Sequence, residues 1–145
     1  MATEERVKLL VAARKGIYED VVSLSKLQIP LGDYVQPPHN RTALWYSCRN
    51  GSLKMARLIL KKGSNINHKD SKGMSPLHIC VKYGHINIAK FLIENKADID
   101  IKDNIVKLLI ENGADVQIKD NNKASVYDYA DFNGKTQLST YILYK

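Results

Sequence analysis

His78 and His85, Cys48 and Cys80, and the carboxylates Asp98, Asp100 and Asp103 are the side chains here that could hold a metal or move a proton. The two histidines stand seven residues apart, a spacing that invites a metal-binding or acid–base reading. The partners such chemistry needs are missing: the chain has no HExxH, no CxxC pair and no glycine-rich loop ending in Lys-Ser/Thr. Gly51-Ser52 and Gly73-Met74-Ser75 have the composition of turns, not of the strained elbow that exposes a nucleophilic serine. The three aspartates fall on polar connecting segments, where solvated turns are the simpler reading. Both cysteines fall in helical segments and read as buried free thiols in a reducing compartment, with a disulfide or metal pair as the alternative. No catalytic residue, metal or cofactor is expected, and the chain is not read as an enzyme.

Charge is the chemistry that remains. The 145 residues carry a formal net charge of +7, and almost all of the excess lies in one stretch. Residues 1–39 balance five basic against five acidic groups, whereas residues 40–70 hold seven basic groups and one acidic. The remaining segments net +1, −1 and +1 over 71–103, 104–120 and 121–145. An excess this local implies an acidic partner at one place rather than general stickiness. Lys54, Arg57 and Lys61, at i, i+3 and i+7, read as a solvated helix face. With 44% hydrophobic and 26% charged residues the composition is that of soluble globular chains. No apolar run reaches the roughly 18 residues a membrane span needs. The N-terminal stretch is acidic at once and basic only after its apolar run, the reverse of a secretory signal. The expectation is a cytoplasmic protein; the nucleus and a host-cell cytosol are also compatible with this.

These residues must be positioned by helices. Over 7–24 the apolar spacing predicts a helical pair interrupted at Gly16. Residues 25–39, with Pro30, Gly32, Pro37 and Pro38, predict an irregular connection. Thr42 opens a helix that places Leu44 inward, Gly51 turns the chain, and residues 53–61 form a second helix ended by Gly63 at a left-handed position. Ser75 supplies the next N-cap oxygen and Pro76 takes the first helical position, where its missing N–H costs nothing. Lys96 takes the slot that Gly63 fills one unit earlier. Polar strand-like tails follow, as at Asn65-Ile66-Asn67, with Lys69-Asp70-Ser71-Lys72-Gly73 supplying a turn.

Residues 71–103 recur in the chain. Their pattern is met 33 residues upstream in 40–70, 17 downstream as a half-unit in 104–120, and 50 downstream in 121–145. A period near 33 is the mark of a stacked-repeat protein. With Ser75-Pro76-Leu77-His78, Gly84-His85 and Ala97-Asp98 in the unit, the chain resembles the ankyrin repeat family. The resemblance implies an all-α solenoid of helix–turn–helix units with hairpin loops. Its units are a degenerate N-terminal cap (1–39), two repeats (40–70 and 71–103), a half repeat (104–120) and a C-terminal cap (121–145).

It also implies a structural role for His78, its ring bonding backbone and the Ser75 hydroxyl across neighbouring units. Partner contacts in such stacks come from the ends of the inner helices and from the hairpin tips. Carried onto this chain, the helix-end column is Arg14, Arg49 and Lys82, flanked by Lys15, Asn50 and Tyr83, with Phe132 and Asn133 added by the last unit. The hairpin positions are Arg41, Lys69, Ser71, Lys72, Met74 and Lys102.

The half repeat lacks its inner helix, because the counterpart of residues 71–86 is absent before Asn104. Residues 105–111 are apolar nearly all round and need cover on more than one side. A monomer in which this helix slides into the inner slot is favoured over a dimer formed by swapping at 104–120. The functional expectation is a non-enzymatic module that binds an acidic segment of another protein in its concave groove. The alternative is nucleic-acid or phosphorylated-ligand binding through 40–70, where Trp45 accompanies the basic groups. Trp45, however, fills the slot of His78 and is expected to pack between units. A third reading is a spacer with no partner at all.

Overall fold

The structure, a computed structural model, describes residues 2–27 and 34–98. Among the described residues there are six helices and no strand: α1 (Ala2–Lys15), α2 (Tyr18–Ser25), α3 (Ala43–Asn50), α4 (Leu53–Lys61), α5 (Pro76–Lys82) and α6 (Ile86–Glu94). Residues 1–88 and 89–145 form two compact units, with the boundary inside α6. The half repeat, the last unit, Lys102, Phe132 and Asn133 lie outside the described residues.

In the first unit α1, α3 and α5 form one layer, α1 packing on α3 and α3 on α5, while α2 and α4 pack behind them. The sequence explains this arrangement through small residues at the contacts. Ala12, Ala13, Ala43 and Ala56 are buried and let helix axes approach, and Leu44, Met55, Ile59 and Leu77 fill the space between. Residues 43–48 of α3 are all buried because that helix has neighbours on three sides. The buried Ser47 hydroxyl is satisfied by donating to the Ala43 carbonyl at 2.8 Å. Side chains cap the helix starts: Thr42 Oγ1 accepts from the Trp45 N–H at 3.1 Å, Ser52 Oγ from the Met55 N–H at 3.3 Å, and Ser75 Oγ, the cap expected from sequence, from the His78 N–H at 3.4 Å. Each cap contributes about 1 kcal/mol.

Five helix ends are built alike. The N–H groups of Ile17, Ser52, Ser64, His85 and Ala97 reach back five residues to the carbonyls of Ala12, Ser47, Ile59, Cys80 and Leu92, at 2.7–3.4 Å. The residue before each has positive φ: Gly16, Gly51, Gly63 and Gly84, and, in the second unit, Lys96 at +70°. This is the closure that returns orphan helix-end carbonyls to a partner, and it requires a left-handed residue. Lys96 therefore sits where a side chain is strained. Lys96→Gly is expected to raise the melting temperature by relieving about 1 kcal/mol; circular-dichroism melts check this, and a lowered midpoint rejects it.

Two expectations change. Helix α1 begins at Ala2, five residues ahead of the apolar pattern, because Lys8 Nζ pairs with Glu4 at 2.9 Å and Glu5 at 3.3 Å across its first turns. The Asn65-Ile66-Asn67 tail is a turn and not strand-like. Asn65 Oδ1 accepts from the Asn67 N–H at 2.9 Å and the Asn65 carbonyl from the His68 N–H at 3.3 Å, so local side-chain bonding outcompetes extension. The following loop is organised by Asp70, which is 7% exposed. Its Oδ1 accepts from the N–H groups of Lys72 and Met74, both at 2.9 Å, and its own N–H donates to the Met74 carbonyl at 3.0 Å.

Candidate protein-binding surface

Helices α1, α3 and α5 pack in one layer, and long-range side-chain bonds tie their C-terminal ends together. Asn50 Nδ2, at the end of α3, donates to the carbonyls of Ala13 at 2.9 Å and Arg14 at 3.3 Å, at the end of α1. His85, just past α5, donates from Nε2 to the Arg49 carbonyl at 3.0 Å. A carbonyl only accepts, so Nε2 carries the proton of this ring. Gly51 makes room for it: a Cβ there would lie 2.6 Å from His85 Cε1.

Each of these helix ends carries an exposed cation in its last turn, Arg14 and Lys15 on α1, Arg49 on α3 and Lys82 on α5. Cations there also favour the negative end of the helix dipole by about 0.3–1 kcal/mol, so part of their reason is structural. Tyr83 is 46% exposed beside them, with Lys82 Nζ 5.9 Å from its ring centroid. Asn50, expected as a contact residue, spends its amide on the α1 carbonyls.

The hairpin positions divide. Lys69, Ser71 and Lys72 are exposed, and the Ser71 N–H donates to the His39 carbonyl at 3.0 Å. Met74 is half-buried within the Asp70 loop. Arg41 turns inward: its guanidinium lies 4.3 Å over the Trp45 ring, its Nε is 3.9 Å from Asp70 Oδ2, and that Nε is buried without a hydrogen-bond partner. Trp45 itself is 3% exposed and packs edge-on against Tyr46, with centroids 5.2 Å apart, so it offers no face for a base to stack on. Neither Asp70 nor His85 was singled out for these roles from sequence. The Asp-x-x-Gly spacing of Asp70 and Gly73 was the one available signal for the first; His85 finds its acceptor 36 residues away, and no local pattern announces that.

His78 is buried. Its Nδ1 accepts from the Ser75 hydroxyl at 2.6 Å, the bond the resemblance implies, and from the Ser75 N–H at 3.3 Å, both within its own unit. Cys48 and Cys80 are buried free thiols; burial first, then hydrogen bonding between the two, pushes the Cys48 thiol well above its ordinary pKa. Among the described residues no three His, Cys, Asp or Glu side chains gather as a metal site, and no helix is long and apolar enough to cross a membrane.

Residues 9–103 match the family described as ankyrin repeats in three copies, well over half of the chain. The chain belongs to the ankyrin repeat family. Human protein phosphatase 1 regulatory subunit 27 is 36% identical over 63 residues, 43% of this chain and 41% of that protein. An ankyrin repeat-containing protein of Schizosaccharomyces pombe is 33% identical over 60 residues, 41% of this chain and 29% of its own length. A target of rapamycin complex 2 subunit from Saccharomyces cerevisiae is 28% identical over 94 residues, 65% of this chain and 22% of that subunit. The chain thus spans less than half the length of each of these relatives. Ankyrin repeats are in general protein-interaction modules, and two of these relatives are named as subunits that act with partners.

Proposed function

We propose that this ankyrin repeat protein is a non-enzymatic binding module that takes an acidic segment of another protein across the ends of α1, α3 and α5. The observation that carries the reading is the set of bonds from Asn50 and His85, which tie together the helix ends that bear exposed Arg14, Arg49 and Lys82. Each contact between such a cation and a carboxylate is a charge-assisted hydrogen bond. Lys69 and Lys72 on the hairpin add longer-range attraction that salt screens. Lys15 and Tyr83 flank the column, whereas Arg41 and Met74 are engaged within the hairpin. Binding of nucleic acid through the basic repeat is the lesser reading, since buried Trp45 removes its stacking platform.

The test is fluorescence anisotropy with an acidic peptide against the protein and its Arg49→Glu, Lys82→Glu variant. Reversing two exposed cations is expected to weaken binding by at least about tenfold with helical content unchanged. Equal affinity for both proteins rejects the column as the binding surface.

A further inference from the structure

The stack that fixes the cations also fixes the spacing and shape of what they bind. Helices packed side by side lie about 8–10 Å apart, so the cations of α1, α3 and α5 recur at that interval along the column. A ligand that meets all of them must present a carboxylate at the same interval and on one face. An extended strand fails: its three-residue step of roughly 10 Å brings successive carboxylates to opposite faces. A polyproline II segment fits, with three residues per turn and about 3.1 Å per residue, so that every third side chain returns to the same face after about 9 Å. An α-helix with carboxylates seven apart has a similar step of about 10.5 Å, so spacing alone leaves two conformations. Exposed Tyr83 separates them. It is an aromatic face beside the cation of Lys82 at the end of the column, and aromatic faces are what proline rings dock against in polyproline II recognition.

We infer that the partner segment is a proline-rich acidic stretch in polyproline II conformation, with a carboxylate at every third residue, one for each of Arg14, Arg49 and Lys82. The inference rests on the proposed acidic-segment reading and adds register and conformation to it. Long cationic side chains absorb a few ångströms of mismatch, but they do not reach a carboxylate that points away. The discrimination therefore comes from facing as much as from distance. Asn50 and His85 bond to backbone carbonyls of the neighbouring helix ends, so the bases of the three cationic side chains are tied to one another through the fold.

The experiment uses fluorescent peptides of one composition, rich in proline and holding three glutamates, placed at i, i+3, i+6 or at i, i+2, i+4 or at i, i+4, i+8. A helix-forming peptide with glutamates seven apart and a single-stranded oligonucleotide complete the set. The three-spaced peptide is expected to bind about tenfold tighter than its isomers, the loss of roughly one well-placed charged contact. Tyr83→Ala is expected to reduce the preference for the three-spaced proline-rich peptide over the seven-spaced helix, and an unchanged preference overturns the docking role of Tyr83. Equal affinity for all proline-rich isomers overturns the register while leaving an acidic partner standing. Tighter binding of the seven-spaced helix overturns the conformation. If no acidic peptide binds, or the oligonucleotide binds best, the underlying reading falls and this inference with it.

Discussion

Gly51→Ala is expected to destabilise the protein by about 2–4 kcal/mol, and by only about 1–2 kcal/mol when His85 is already alanine. Two separate costs meet at this residue. Gly51 has φ +73°, where an L side chain is strained whatever the space around it. An added Cβ would also meet His85 Cε1 at 2.6 Å and Nδ1 at 2.8 Å. The ring has to leave, and the Arg49 carbonyl at the end of α3 loses the donor that tied it to the next unit. Alanine at 85 removes the second cost and leaves the first, so the two substitutions couple rather than add. Urea denaturation of the two single variants and the double variant gives the coupling directly. Strict additivity sinks the account of His85 as the staple, and it would leave backbone strain as the whole effect.

What the sequence made legible follows from which interactions are local. Gly16, Gly51 and Gly63 announced their turns because a left-handed residue leaves a compositional mark, and the same slot picked out Lys96 without one. Helix α4 fell at residues 53–61 as read, since Ser52 caps it and its apolar spacing is regular. The start of α1 was hidden, because its first turn is held by Glu4, Glu5 and Lys8 and carries no apolar period. Arg41 shows the other limit. By position it is a hairpin cation open to a partner; in the fold it lies over Trp45 and faces Asp70, a residue 29 places on. Nothing near Arg41 in sequence distinguishes it from Lys69 or Lys72, which stay exposed. Stacking decides, and stacking is not local.

That same loop yields the second large effect. Asp70→Ala is expected to cost about 2–4 kcal/mol and Asp70→Asn only about 1 kcal/mol. The carboxylate does two jobs of unequal weight. Its Oδ1 accepts from two backbone N–H groups at 2.9 Å, while Oδ2 stands 3.9 Å from Arg41 Nε, beyond good hydrogen-bond length. An asparagine keeps an oxygen for the N–H groups of Lys72 and Met74 and loses only the charge. Alanine strands both donors and leaves the Arg41 guanidinium against Trp45 with its nearest counter-charge gone. If asparagine proves as costly as alanine in thermal and urea melts, the ion pair outweighs the turn and this ranking is wrong. Binding gives an independent check on where the ligand sits. Below its melting transition Asp70→Ala still has Arg14, Arg49 and Lys82 held by Asn50 and His85, so its affinity for the acidic peptide should stay within about twofold of the parent. A parallel collapse of affinity would move the contact surface from the helix ends to the hairpin, where Lys69 and Lys72 flank the lost carboxylate.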